Sequence, residues 1–280
     1  MCDTSGAAAD VSHPRRRGAD GHLFVVLGRF RAATRIGRLA GPSTSAYFDR
    51  DYFAWQGASA ERSARAVVPL LLELVRPASV VDVGCGTGAW LQVTREHGVE
   101  DVVGVDGDYI DRTQLRIPPE RFHGRDLSQP RALDRTFDLA LSLEAAHYLP
   151  PQAAPRLVAA IAAAAPVALF SAAIPAQGGG PGLNRQWPSY WAGLFREHGF
   201  SACDWLRPRV WEDERVDWWY AQNAVVYVRS DRLEPLGLHA DDRVLPLVHP
   251  IHFLEVAEQR AEQPESPPRW LDRLRGRRAQ

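Results

Sequence analysis

The residues best suited to chemistry surround a glycine-rich turn in the first third of the chain. Val80-Val81-Asp82-Val83 is a short apolar run with one acid, and it leads directly into Gly84-Cys85-Gly86-Thr87-Gly88. Glycine lets the backbone turn sharply and lets a ligand come close, and the amides that open the next helix can donate to a polar group. The pattern therefore predicts a small-molecule site on this turn.

A second acid closes the next apolar run, Val102-Val103-Gly104-Val105-Asp106. Its carboxylate offers two acceptor oxygens, which suit two adjacent hydroxyl groups. The spacing Gly84-x-Gly86-x-x-Ala89 also fits the dinucleotide fingerprint, so a nicotinamide-dependent oxidoreductase is an alternative. Asp82 argues against it, because an acid inside the strand suits a cationic amino group and suits a pyrophosphate poorly.

This order of strand acid, glycines and second acid resembles the class I S-adenosylmethionine-dependent methyltransferases over roughly residues 45–229. The resemblance implies that the glycines pass under the methionine part of the cofactor, that Asp82 holds its amino group and that Asp106 holds the ribose. It also implies that the segment 124–127 meets the adenine. The residues predicted to bind S-adenosylmethionine are Asp82, Gly84, Cys85, Gly86, Gly88, Asp106, Gly107, Asp126, Leu127 and Glu144.

His147 is the predicted catalytic residue, and it closes the run 137–147, where cofactor and substrate meet in that family. Many relatives end this run with Glu-His-Leu, whereas this chain has His147-Tyr148-Leu149. A hydroxyl acceptor must lose a proton, and a histidine with a pKa near 6.5 suits that task. His147 equally fits a histidine that caps a helix or hydrogen-bonds within a loop. Glu144 is expected to orient the cofactor or the loop rather than to act as a base.

The segment 183–191 resembles a stretch of a bacterial subset of these enzymes, often His-Val-Asn-Glu-Gln-Trp-Pro. Gly182 stands in place of its histidine and Arg185 in place of its glutamate. Amide and aromatic groups together suit a polar, hydroxylated acceptor such as a sugar or a glycosylated metabolite, although helix capping and core packing explain them too. The predicted substrate-binding residues are His147, Asn184, Gln186 and Trp187.

Alternating strands and helices must position these residues. The pattern predicts an α/β fold with a parallel sheet, right-handed crossovers and a ligand at the carboxyl ends of the strands. The resemblance implies a Rossmann-like sheet of seven mostly parallel strands, a C-terminal antiparallel hairpin and helices on both faces. The predicted strands are 79–83, 102–105, about 121–124, 137–143, 167–173, about 203–206 and 223–228, and the predicted helices are 59–75, 88–97, 151–165 and one that ends near 198.

The segments around this domain have simpler patterns. Residues 1–44 predict a mobile N-terminal extension, in which the basic amphipathic piece 24–39 suits a membrane surface or a partner. Residues 207–219 predict a long aromatic connection of the kind that often forms a lid. Residues 230–280 predict a Pro/Arg-rich C-terminal extension, whose end, 264–280, is expected to be a linker and a peripheral arginine-rich tail.

Composition limits the function classes. The chain has 280 residues, a formal net charge of -1 and no lysine, so nucleic-acid binding is not favoured. Three widely spaced cysteines suggest neither a disulfide framework nor a metal site, and we expect no metal and a cytoplasmic location. No apolar run is long enough to cross a membrane. The expected partner is a small molecule in a bacterial biosynthetic pathway. The remaining alternative is a catalytically silent domain that only binds a partner. The sequence predicts no oligomeric state.

Overall fold

The computed structural model describes residues 50–178, 180, 182–241 and 244–261, with side chains from Trp55 onward. The predicted N-terminal extension and residues 262–280 lie outside these ranges. Strands and helices alternate through the described residues, as the pattern predicts. The strands are β1 (Ser79–Val83), β2 (Asp101–Asp106), β3 (Phe122–Gly124), β4 (Leu139–Leu143), β5 (Val167–Ser171), β6 (Phe200–Cys203) and β7 (Val225–Arg229).

The helices connect these strands across the two faces of the sheet. Short 3-10 turns add further connections, and two of them, Ala146–Tyr148 and Pro151–Ala153, follow β4 directly. The α-helices are α1 (Arg50–Val75), α2 (Ala89–Glu96), α3 (Ala154–Ala164), α4 (Pro188–Arg196), α5 (Arg207–Val210), α6 (Trp218–Asn223) and α7 (Pro250–Ala261).

The strands form one sheet in the order β3-β2-β1-β4-β5-β7-β6. β1 lies between β2 and β4 and is parallel to both, with Val81 opposite Val103 and Ala140. β7 is antiparallel to β5 and to β6. The predicted fold class, a mostly parallel Rossmann-like sheet with an antiparallel C-terminal pair, is confirmed. The carboxyl ends of β1, β2 and β4 therefore meet at one edge, where the predicted site residues lie.

Each central strand is buried on both faces, which explains its nearly continuous apolar sequence. Alternate residues point to opposite faces, so Val80 joins the core on one side of the sheet while Val81 and Val83 join the core on the other. Asp82 shares the face of Val80 and is buried with it. One acid therefore lies within an otherwise apolar strand at the centre of the sheet.

The helix before β1 differs from the prediction. The sequence predicts a helix that begins at Ser59, but α1 begins at Arg50 and runs unbroken through Ser59 and Pro69. The carboxylate of Asp217 accepts from the Ser59 hydroxyl and the Arg62 guanidinium. It also accepts from the Ser63 hydroxyl at 3.1 Å. Asp217 immediately precedes α6, so these bonds join α1 to the start of α6.

The connection 207–219, predicted to form a lid, is helical at both ends, with turns at 211–217 between them. α5 occupies its start, with the buried Arg207 guanidinium bound to the carboxylate of Asp204. Trp218 opens α6, is buried and stacks on His252 with ring centroids 4.7 Å apart. The aromatic residues of this connection thus belong in part to the packed body of the fold.

The described part of the C-terminal extension packs against the domain, whereas the predicted peripheral tail, 264–280, lies outside the described residues. Leu238 and Val244 are buried in the two cores, and His249 and His252 are buried at the start of α7. Within the described ranges no helix is long and apolar enough to cross a membrane.

Candidate functional site

The turn after β1 needs glycine at each of its three glycine positions. Gly84, Gly86 and Gly88 have φ angles of 90°, 54° and 87°, in the left-handed region that favours glycine. A Cβ on Gly84 would lie only 2.3 Å from the Cβ of Ala145, so the turn also packs directly against the segment after β4. The glycine turn therefore lies directly against the segment that follows β4, at the carboxyl ends of β1 and β4.

Asp82 lies beneath this turn and lacks a partner for one oxygen. Its Oδ1 is buried and has no hydrogen bond within the described part of the chain. Burial first, and the nearby charge of Asp106 second, raise the pKa of Asp82 to about 7. A buried, unpaired carboxylate oxygen of this kind is completed by a cationic donor and is opposed by an anionic one.

Asp106 ends β2 and holds the glycine turn to the next loop. Its Oδ2 accepts from the Gly86 amide at 2.7 Å, and its Oδ1 accepts from the Gly107 amide at 2.6 Å and the Tyr109 hydroxyl at 2.7 Å. Both lone pairs of Oδ1 are used, whereas Oδ2 keeps one. Burial raises the pKa of Asp106 against these bonds. Asp106, the residue predicted to hold the ribose, thus has one lone pair left on Oδ2, while the Tyr109 hydroxyl and the Gly107 amide occupy Oδ1.

Cys85 belongs to the core more than to the turn surface. Its side chain is buried, and a Cβ on Gly104 would lie 2.8 Å from its Sγ. Burial raises the pKa of the thiol well above its ordinary value, so it stays protonated. Any contact of Cys85 with a ligand on the turn would come from its backbone.

Asp126 and Leu127 lie in the wall of a cavity of about 570 Å³ beside the ends of β1 and β2. The Arg125 amide donates to the carbonyl of Asp106 at 2.7 Å, which fixes this loop against β2. The Ser128 amide and hydroxyl lower the pKa of Asp126, which stays ionised and exposed. The Asp126 carboxylate can accept a hydrogen bond from an amino group, and the apolar residues of the cavity wall suit a flat ring.

His147 lies in the turn after β4 and is 3 % exposed. Its Nδ1 accepts from the Ala173 amide at 3.1 Å, so in the neutral ring the proton is on Nε2. Burial, and then the charge of Arg185, lower the pKa of His147 to about 3. This arrangement differs from that of the predicted base, because its available nitrogen carries a proton and can donate but cannot accept.

The predicted substrate segment lies directly against His147. The Asn184 amide donates to the His147 carbonyl at 3.0 Å, and Gln186 Nε2 donates to Asn184 Oδ1 at 3.1 Å. The Asn184 Nδ2 is buried without a partner in the described residues. Trp187 is 39 % exposed at the start of α4. The structure thus brings together His147, Asn184 and Gln186, with Trp187 next in the chain.

The two departures from the bacterial pattern lie in contact. The Arg185 guanidinium donates to the carbonyls of Gly180 at 2.7 Å and Gly182 at 3.3 Å. A Cβ on Gly182 would lie 2.6 Å from the guanidinium carbon. The Arg185 guanidinium therefore occupies the space that a side chain at position 182 would enter.

Glu144 follows β4 and contacts residues that the sequence analysis missed. Its carboxylate accepts from Asn223 and Gln177, and both amides also contact Gln222. The available signal was the polar pair Gln222-Asn223 beside the apolar run that becomes β7. No three His, Cys, Asp or Glu side chains in the described residues form a metal-binding group. The expectation of no metal stays a prediction.

These residues fit the cofactor that the sequence resemblance implies. The unpartnered Asp82 Oδ1 suits its ammonium group, the remaining lone pair of Asp106 Oδ2 suits a ribose hydroxyl, and the cavity beside Asp126 suits its adenine. A pyrophosphate would instead meet the buried acid of β1, which disfavours the dinucleotide alternative.

Comparisons with known proteins agree with this fit. A family model for a methyltransferase domain matches residues 55–224, which is more than half of the chain. Over 62 residues the chain is 59 % identical to the ribosomal RNA large subunit methyltransferase E of Caulobacter sp. (strain K31), a match that covers 22 % of this chain and 26 % of that enzyme. The chain thus spans about a quarter of the length of that curated relative.

Solved methyltransferase structures are also similar at low identity. S-adenosylmethionine-bound CalS10, an amino pentose methyltransferase from Micromonospora echinaspora involved in calicheamicin biosynthesis, is 17 % identical with a TM-score of 0.48, over 68 % of this chain and 100 % of that one. The magnesium protoporphyrin IX methyltransferase of Synechocystis PCC 6803 is 17 % identical with a TM-score of 0.47, over 77 % of this chain and 100 % of that one.

Proposed function

We propose, from the premise that this chain belongs to the methyltransferase-domain family, that it methylates a small polar acceptor such as a sugar or a glycosylated metabolite. Its cofactor is S-adenosylmethionine, which supplies an activated methyl group on a sulfonium sulfur. The observation that carries the choice of acceptor is the pair of amide side chains that is joined to His147 through Asn184, together with the partly exposed indole next to them in the chain. These residues are Asn184, Gln186 and Trp187.

The chain's own residues divide the binding work. In this proposal Asp82 holds the ammonium group of the cofactor, Asp106 holds the ribose, and Asp126 with the Leu127 amide holds the adenine. The glycine turn lets the ligand approach the backbone between β1 and β4. Methyl transfer is an in-line displacement, so the main task of the remaining residues is to align the acceptor with the methyl group.

Polar donors and one aromatic face suit a hydroxylated acceptor. Asn184 Nδ2 is an unsatisfied donor in a buried position, and a hydroxyl oxygen would satisfy it. The partly exposed indole of Trp187 offers an apolar face to a sugar ring. His147 Nε2–H is a further donor beside them. The predicted role of His147 as a base requires its Nδ1 to leave the Ala173 amide, whereas a positioning role needs no change.

Titration calorimetry followed by a turnover assay tests this function. S-adenosylhomocysteine should bind and NAD should not, and methyl transfer should occur to an acceptor from a panel of sugars and glycosides. Trp187→Ala should raise KM for that acceptor with little change in cofactor affinity. Phe253→Ala, a change at a more exposed aromatic residue on α7, is the matched control. Cofactor binding without transfer to any acceptor would favour the catalytically silent alternative.

A further inference from the structure

Glu144 has an unusual backbone for a residue without glycine's freedom. It directly follows β4 with a φ angle of 54°, in the left-handed region. Non-glycine residues in this region cost energy and concentrate at functional sites. The Glu144 amide donates to the carbonyl and the hydroxyl of Ser171, each at 3.0 Å, which holds the strained position. The side chain remains 13 % exposed, so its carboxylate is buried but not sealed.

Two amides hold the carboxylate without filling it. Asn223 Nδ2 donates to Oε1 at 3.0 Å and Gln177 Nε2 donates to Oε2 at 3.3 Å. The Ser171 hydroxyl adds a third bond to this carboxylate. Its two oxygens have four lone pairs between them, so one remains for another donor. His147 Nδ1 is 3.9 Å from Oε2, beyond a hydrogen bond, and is already bonded to Ala173. Glu144 can therefore accept a proton where His147, in its present tautomer, cannot.

The direction of these amides is set from α7. Gln222 Oε1 accepts from the His249 amide at 2.8 Å and from His252 Nδ1 at 3.0 Å. Its Nε2 must then turn the other way, where it donates to Asn223 Oδ1 at 2.9 Å and to Gln177 Oε1 at 3.3 Å. Because the side-chain oxygens of Asn223 and Gln177 accept these bonds, both side chains direct their NH₂ groups to Glu144. The hydrogen bonds thus run in one direction, from His252 to the carboxylate.

The titratable and charged groups around Glu144 come from three segments. His147 is in its own turn, Tyr220 is on α6, and Arg185 follows β5 and acts on His147. Burial raises the pKa of Glu144 to about 7, while the bonds from Asn223, Ser171 and Gln177 oppose that rise. A group that titrates near neutral pH is well matched to general-base work.

We infer that Glu144 takes the proton of the acceptor hydroxyl. Gln222 and His252 position the Glu144 carboxylate through the amides of Asn223 and Gln177. The inference rests on the proposed methyl transfer. The acceptor O–H bond breaks and its electron pair forms the new bond to the methyl carbon. The pair of the broken carbon–sulfur bond stays on sulfur, and the proton passes to a Glu144 oxygen, from which it later leaves to solvent.

The first experiment replaces Glu144 with a neutral group of the same shape. Glu144→Gln should lower kcat, measured with saturating cofactor, about 10²–10⁴-fold and should abolish the acid limb of its pH profile. Glu120→Gln, at an exposed site, is the control and should change neither. A kcat within a few-fold of the parent overturns the inference. Failure of cofactor binding or of methyl transfer in the parent protein overturns the proposed function instead.

A measurement without turnover follows the carboxyl group itself. Infrared difference spectra of the ligand-free protein, titrated through neutral pH, should contain a protonated carboxyl band that Glu144→Gln removes. A Glu144 band that disappears already in the ordinary carboxylate range would contradict the inference. The pH at which the band changes is measured in the parent protein, and Glu144→Gln serves only to assign the band to Glu144.

The second variant tests the positioning role of α7. His252→Phe keeps a ring to stack on Trp218 but removes the donor to Gln222. Gln222 is then free to turn, and the amides of Asn223 and Gln177 donate less well to Glu144. The pKa of Glu144 should rise, so the acid limb of the kcat profile should move to higher pH with KM little changed. His239→Phe, at an exposed position of the same segment, is the control. A limb that stays in place in a folded His252→Phe protein contradicts the positioning role.

Discussion

Binding of S-adenosylhomocysteine should release a proton from Asp82. Burial and the charge of Asp106 raise the pKa of this carboxyl from an ordinary 3.8 to about 7, and its Oδ1 has no partner in the described residues. That difference corresponds to about 4 kcal/mol of ionisation cost, on a scale of about 1.4 kcal/mol for each pKa step. An ammonium group beside Oδ1 would remove much of this cost, and the proton would leave.

The expected size follows from the pKa. At about pH 7 the free carboxyl is roughly half protonated, so about half a proton should be released for each ligand bound. Lowering the pH to about 6 leaves roughly a tenth of Asp82 ionised, which should weaken binding about fivefold. The sign is fixed because the ligand selects the ionised form, and acid removes that form.

Calorimetry in two buffers of different ionisation enthalpy measures the released proton directly. The apparent binding enthalpy should differ between the buffers for the parent protein, and should agree between them for Asp82→Asn, which should also bind more weakly and without this pH dependence. Glu255→Gln on α7 is the control, because burial also raises the pKa of Glu255 to about 7. Equal enthalpies in both buffers, together with a Kd that is constant from about pH 6 to 7, would refute the reasoning.

Three further predictions concern the same site. Asp106→Ala should weaken cofactor binding by about 1.5–3 kcal/mol in calorimetry, the usual range for hydrogen bonds to a charged group, and an unchanged Kd would place the ribose elsewhere. His147→Ala should lower kcat less than Glu144→Gln does and should keep the acid limb of the pH profile, whereas loss of that limb would return the role of base to His147. Turnover should survive a chelator, and activity lost to chelation and restored by magnesium would contradict the expectation of no metal.

The central strands could be predicted because both of their faces are buried. β1 has the predicted bounds and β2 extends the predicted run by one residue at each end, since a continuous apolar run is what a buried parallel strand requires. β6 begins three residues earlier than expected, because Phe200 and Ala202 are its buried positions and the later Leu206 packs just before α5. Ser59 has the chemistry of a cap, but its bond to a carboxylate 158 residues away leaves the helix unbroken.

The cofactor half of the site depends on local spacing, and for that reason the sequence could indicate it. The strand acid, the glycines and the acid after β2 are adjacent along the chain and follow from one strand–turn–helix unit and the next strand. The surroundings of Glu144 could not be predicted in this way. Gln177 and Gln222 are 45 residues apart, and Gln222 and His252 are 30 apart, so only tertiary packing brings these polar groups together.

The position of β7 within the sheet sets an order of events during folding. β7 pairs with β5, more than fifty residues earlier in the chain, and β6 pairs with β7. Such distant pairings form slowly, whereas the strands and helix around the glycine turn are close in sequence. Asn223 ends the helix just before β7, so its bond to Glu144 depends on that late pairing. During refolding, ligand binding at the glycine turn should therefore recover before turnover does, and pulsed hydrogen exchange should protect the amides of β1 before those of β7.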